Sequence, residues 1–200
     1  MNIESTSQNC RIVKEFDPAH KMTKKQVEEL ISLLLQASPS VNVRKWQFVV
    51  VQDEAVRDRL TDAVWDQRRA ADATLLIILC IDLAIWRTEP LRYWHSTQHA
   101  QLDSSIPVLS KYDQGLDAVQ RDNIMRSCGM VTQTLMLVAQ SMGLDSCLLE
   151  GFDPERVGEA INLPDDHAVC MVAAIGRAAD KAVRAEDTPS ADGAVVQDTY

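Results

Sequence analysis

The stretch Gly143-Leu-Asp-Ser-Cys-Leu-Leu-Glu-Gly-Phe-Asp-Pro-Glu-Arg-Val157 holds the most usable chemistry in the chain. Gly143 ends a helical pattern, a short apolar strand follows, and Glu150-Gly151 makes a tight turn. Asp153 can cap the next helix, with Pro154 where a missing N–H costs nothing. A strand–turn–helix junction of this kind presents main-chain N–H groups beside a helix N-terminus, a setting that holds an anion or the polar edge of a ring. Three upstream segments add cations and amides. Arg11 and Lys14 lie in Cys10-Arg-Ile-Val-Lys-Glu-Phe-Asp17, and Asn42 and Arg44 in Ala37-Ser-Pro-Ser-Val-Asn-Val-Arg-Lys-Trp-Gln-Phe-Val-Val-Val51. Arg68 and Arg69 lie in Asp66-Gln-Arg-Arg-Ala-Ala-Asp-Ala73. Each also has a plain structural explanation. Arg11 and Lys14 suit a solvated strand edge, Asn42 suits a turn, and two arginines suit a solvated helix end.

The order and spacing of these segments resemble the nitroreductase family of flavin oxidoreductases. There an Arg-rich N-terminal segment, a Pro-Ser-x-x-Asn-x-Gln-Pro-Trp loop and a late Glu-Gly-Phe-Asp-Pro junction recur in this order. The resemblance covers roughly residues 9 to 82 and 120 to 176. It implies a homodimer with two flavin mononucleotides (FMN) at the subunit interface, a mixed central sheet, a long interface helix and C-terminal arms that wrap the partner. A bound FMN needs cations or N–H groups at its phosphate, a positive group at the N1/O2 edge and a donor at N5. On this resemblance Arg11, Ile12 and Lys14 serve the phosphate and ribityl end. Asn42 meets the ring edge or the ribityl hydroxyls. Arg69 approaches N1/O2. The turn Leu148, Leu149, Glu150 and Gly151 lies along the flavin face, with an N–H near Glu150 donating to N5. Arg184, with Lys181, stands near the place of a C-terminal phosphate cation.

Several positions depart from the family pattern. Cys10 and Ile12 replace an Arg and a Ser, and Arg44-Lys45 replaces Gln-Pro in a loop one residue shorter. Asp66 stands where the family has Asn, Leu148 where it often has Pro, and the residues before Pro189 are acidic. Arg44 either supplies charge to the flavin or to NADPH, or is a surface substitution.

The remaining sequence sets bounds on this expectation. Two hundred residues fit one domain, here residues 1–200. A composition of 46% hydrophobic and 24% charged residues is that of a folded soluble protein. The net charge of −9 argues against nucleic acid as a partner. No apolar run reaches membrane-spanning length, and the N-terminus lacks a secretory pattern. Cysteines at 10, 80, 128, 147 and 170 are odd in number and unpaired in spacing, as expected of reduced thiols in a cytoplasm. They offer no Cys–His or Cys-x-x-Cys pair for thiol catalysis. His95, His99 and Asp103 share a helical face if that segment is helical. A polar surface accounts for them as well as a metal does, so no metal is assigned.

The elements that must position these groups are legible from periodicity. Thr23 and Gln26 form a capping box ahead of Val27, Leu30, Ile31, Leu34 and Leu35, and Ser38-Pro39 stops that helix. A strand spans 47–52. Asp53 caps a helix with Val56, Leu60, Ala63 and Val64 on one side. Residues 74–81 read as a buried strand, 122–142 as a long helix of unusually wide apolar face, and 168–176 as a last strand. That wide face points to a subunit interface. Residues 83–120 are irregular and take the place of the family's substrate-covering segment, and 177–200 that of its arm. Strands and helices mix without βαβ alternation, so the fold class is α+β, a nitroreductase-like mixed sheet flanked by helices in an intertwined homodimer.

The function expected is hydride transfer from NADH or NADPH through FMN to a small electron acceptor (a nitroaromatic, a quinone or an enone) in a ping-pong cycle. No side chain need act as acid or base. The alternative is a divergent, non-catalytic or flavin-storing member of the same fold. A third possibility, set apart from the resemblance, is a small metal-binding α+β module.

Overall fold

The structure is a computed structural model that describes residues 13, 15–37, 46–65, 68–83 and 117–179, together with 4 and 6. The element order is α1 (Lys24–Leu34), β1 (Trp46–Val51), α2 (Glu54–Ala63), α3 (Arg68–Asp72), β2 (Leu75–Asp82), α4 (Asp117–Ser141), β3 (Asp145–Leu149), α5 (Pro154–Ala160) and β4 (His167–Gly176). The strands form one sheet in the order β1-β2-β4-β3. All three pairings are antiparallel. The class is therefore α+β as expected. A mixed sheet would need a parallel strand from outside the described residues.

Local chemistry explains most boundaries. Thr23 accepts the Gln26 N–H while the Gln26 side chain accepts the Thr23 N–H, a complete capping box. The helix it opens stops at Leu34, short of Ser38-Pro39. Gln36 and Ala37 donate to carbonyls three residues back, so the chain tightens out of the α-helix there. Leu35 consequently falls in the turn and is 39% exposed, whereas Val27, Leu30 and Leu34 are buried. Asp53 caps α2 by accepting the Val56 N–H at 3.0 Å. Helix α4 begins at Asp117, earlier than the apolar pattern indicated. It ends in a Schellman motif: Leu144 N–H reaches Ala139 C=O at 2.9 Å and Gly143 N–H reaches Gln140 C=O at 3.1 Å. Gly143 has φ +73°, a left-handed conformation that glycine adopts without penalty.

The sheet is covered on both faces. Leu76, Ile78 and Cys80 of β2 face Leu60, Ala63 and Val64 of the α2 region and Val157 and Ala160 of α5. Leu75, Ile77, Leu79 and Ile81 face Leu30 and Leu34 of α1 and Val131, Leu135 and Ala139 of α4. This explains why β2 reads as an unbroken apolar run: it is a central strand buried on both sides. Among the described residues, no helix is long and apolar enough to cross a membrane.

The N-terminal chain joins the end of β4. Phe16 bridges to Ala178, and Asp17 N–H donates to Arg177 C=O at 2.9 Å. Gly176 passes so close beneath that a Cβ there would lie 2.9 Å from Phe16 Cδ1 and 3.2 Å from the Thr74 amide nitrogen. Gly176→Ala is expected to cost about 1–3 kcal/mol through overpacking. Urea unfolding should show a lower midpoint at an unchanged slope.

Candidate active site

Strand β3 is the outer strand of the sheet, and its main chain alternates in direction. Val13 N–H donates to Ser146 C=O at 3.3 Å from the side away from β4. In an antiparallel pair, residues whose main chain turns outward alternate with residues that exchange both bonds with the partner. Ser146 and Leu148 therefore turn their N–H and C=O outward, and Glu150 follows the end of the strand. Cys147 and Leu149 turn theirs toward Ala174 and Val172 of β4. Leu149 is fully buried, Leu148 is half-buried and Glu150 is exposed.

Both ends of this strand are fixed. The Schellman motif sets its start, and Asp145 Oδ2 accepts the Ala178 N–H at 2.8 Å. At the far end the Asp153 N–H donates to Ala63 C=O at 2.9 Å, which ties the Glu150-Gly151 turn to the C-terminus of α2. Asp153 caps α5 as its sequence signature indicated. Its Oδ1 accepts from Glu155 N–H at 3.0 Å and Arg156 N–H at 3.1 Å. The cap thus engages first-turn donors of α5, so the donors offered at this junction come from the edge of β3 instead of the helix N-terminus.

Arg68 and Arg69 separate cleanly. Arg68 is highly exposed and lies 3.8 Å from Asp72, a solvated helix pair. Arg69 turns inward, and its Nη1 donates to Cys147 Sγ at 3.2 Å. No partner is seen for its other N–H groups among the described residues. A solvated helix end accounts for Arg68 but not for Arg69.

The five-residue α3 that carries Arg69 is too short to hold itself. Arg57, on α2, supports it. Its guanidinium donates to the carbonyls of Ala70 and Thr74, each at 3.2 Å, and to that of Ala73. The Ala70 carbonyl is one that a helix C-terminus leaves without an intrahelical partner, and Ala73 and Thr74 lie in the link from α3 to β2. Burial lowers the Arg57 pKa below the ordinary arginine value.

Sequence reasoning passed over three residues here. Arg57 was one polar residue on an amphipathic helix, and Cys147 was one cysteine among five. Trp65 was not singled out. It follows α2 with φ +55° and is 64% exposed, unusual on both counts for a large aromatic residue. It stands two residues beyond the carbonyl that holds Asp153. Of the other candidates, Arg11, Ile12, Lys14, Asn42, Arg44, Lys181 and Arg184 lie outside the described residues, as do His95, His99 and Asp103. Val13, between Ile12 and Lys14, is described and is bonded to β3.

The remaining thiols and acids sit apart from this edge. Burial, with Cys170 nearby, pushes the Cys80 thiol up to about 12. A hydrogen bond with Cys170, with burial, raises Cys128, and the same bond lowers Cys170. Asp82, Asp166 and His167 bring one ligand atom each within 4.8 Å of one another, a cluster the sequence did not reveal. Within it Asp166 and His167 are paired at 2.7 Å.

An outward row of main-chain groups beside an inward-turned cation can hold a planar ligand with an electron-rich edge. Comparison with known proteins gives the class. The model of the Nitroreductase family matches residues 10–177. Protein DrgA of Synechocystis sp. is 35% identical over 179 residues, covering 90% of this chain and 82% of the relative. The oxygen-insensitive NADPH nitroreductase of Helicobacter pylori is 26% identical over 180 residues, covering 84% and 83%. A candidate nitroreductase from Exiguobacterium sibiricum, solved in complex with FMN, superposes with a TM-score of 0.80 at 21% identity, covering 94% of each chain. The chain belongs to the nitroreductase family, and with it to the NAD(P)H-dependent flavin oxidoreductases.

Because Arg57 closes three carbonyls at once, Arg57→Ala is expected to destabilise the protein by about 2–4 kcal/mol. A thermal or urea melt of the purified variant measures this. Arg68→Ala, on the exposed side of α3, should stay within about 0.5 kcal/mol of the parent.

Proposed function

We propose that the protein binds FMN along the outer edge of β3 and uses it to pass hydride from NADH or NADPH to a small acceptor, a nitroaromatic, a quinone or an enone. The observation that carries this reading is the outward main chain of Leu148, next to the Cys147 whose sulfur accepts from the partly buried Arg69 guanidinium. A flavin ring asks for those two things, donors along one edge and positive charge at the pyrimidine end. The flavin, when bound, supplies the hydride chemistry at N5, donor and acceptor taking turns in a ping-pong cycle.

The chain's own residues hold and orient. The Leu148–Gly151 turn would hold the ring, with the Glu150 N–H as the donor for N5. Arg69 would supply positive charge at the N1/O2 edge. Arg11, Ile12 and Lys14 take the phosphate and ribityl end with help from Arg184. Asn42 meets the ring edge or ribityl chain, and Arg44 the pyrimidine edge or the nicotinamide cofactor. Trp65, exposed beside the pinned turn, offers a stacking surface to the acceptor.

The protein works as a cytoplasmic homodimer, with residues 1–200 as one domain, 83–120 covering the acceptor and 177–200 reaching the partner. The breadth of the apolar surface on α4 supports the dimer, and Met130 on that helix is 50% exposed.

The purified protein, mixed with excess FMN and desalted, should retain flavin absorption near one equivalent per protomer and bleach on anaerobic addition of NADH or NADPH. A protein that keeps no flavin contradicts the reading and favours the non-catalytic alternative. Arg69→Ala should slow flavin reduction about 10-fold or more while weakening FMN binding less, if its charge acts on the reduced ring. Stopped-flow reduction kinetics beside an FMN titration separate the two effects.

A further inference from the structure

We propose that Cys147 is the positioning residue for Arg69, holding its guanidinium beside the main chain of β3 without neutralising it. This rests on the flavin reading above. Cys147 is fully buried, and its sulfur accepts the Arg69 Nη1–H at 3.2 Å. The same thiol donates onward to Leu148 C=O at 3.4 Å. The cation is thereby linked, through one sulfur, to the strand residue whose main chain turns outward.

The chemistry of the acceptor matters. A partly buried guanidinium needs acceptors, because an unpaired charge out of water is costly. A carboxylate at position 147 would orient it more strongly and would also cancel its charge, leaving little for a ligand. A thiol is a weak, uncharged acceptor. It fixes the direction of one N–H while the positive charge stays available to an electron-rich ring edge. Arg57 acts one step further back by closing the carbonyls at the end of α3. The helix that carries Arg69 is fixed by Arg57, and the side chain by Cys147.

The test uses the full chain loaded with FMN. Cys147→Ala removes the sulfur, and Cys147→Ser keeps a donor and acceptor at the same place. Reduction of the bound flavin by NADPH should slow about 10-fold in Cys147→Ala, near the low end for a hydrogen bond to a charged group. The flavin midpoint potential should move to a lower value in the same variant. Cys147→Ser should return the rate to within about twofold of the parent and the potential to the parent value. In an Arg69→Ala background, Cys147→Ala should change neither reading, since residues that act through one contact are non-additive. Loss of the sulfur with no change in rate or potential would overturn the proposal, as would an effect that persists without Arg69. A parent protein that takes up no FMN overturns the flavin reading and the proposal together. FMN uptake by the parent, with Cys147→Ala indistinguishable from it, overturns this proposal alone.

Discussion

Among the described strands β3 has a partner on one side only, β4, and the candidate site depends on that constraint. An antiparallel edge strand turns every second residue's N–H and C=O away from the sheet. In this protein the outward residues of the strand are Ser146 and Leu148. Val13 takes Ser146 C=O, and the proposed flavin edge begins at Leu148. A shift of one residue would send the outward groups to Cys147 and Leu149 and put their side chains on the wrong face. The register is therefore held at both ends, by the Gly143 motif and Asp145 at the start and by Asp153 on Ala63 at the end.

Charge is placed by the same logic of partners. Of two adjacent arginines, one is solvated beside Asp72 and the other is turned inward to a sulfur. A third, Arg57, is spent on backbone carbonyls. Sequence charge alone cannot rank them, because the ranking depends on which side of a five-residue helix each one leaves. The N-terminus of α5 shows the converse case. Its sequence signature is correct, yet donors of its first turn are occupied by the cap that makes the signature recognisable.

Much of the fold was legible because its signals are local. The capping box at Thr23, the caps at Asp53 and Asp153, the glycine stop at 143 and the apolar run of β2 each specify their element within a few residues. The first helix ends at Leu34, short of its proline, because a proline marks where a helix cannot continue and not where it stops. The candidate site is legible as a set of motifs in family order; of these, Leu148 to Gly151 and Arg69 lie within the described residues, where Arg69 bonds Cys147 of β3. Arg57, Cys147 and Trp65 were not legible. Their roles come from contacts across the fold, such as Cys147 meeting a residue 78 positions earlier, and a single sequence does not mark such pairs.

Hydrogen exchange with and without FMN tests most directly whether the outward edge of β3 receives the flavin, because amide exchange reports on individual main-chain N–H groups. FMN should slow exchange in the segment 148–151, with the Glu150 amide among those protected. Flavin bound at one equivalent per protomer with exchange unchanged across that segment would contradict that placement.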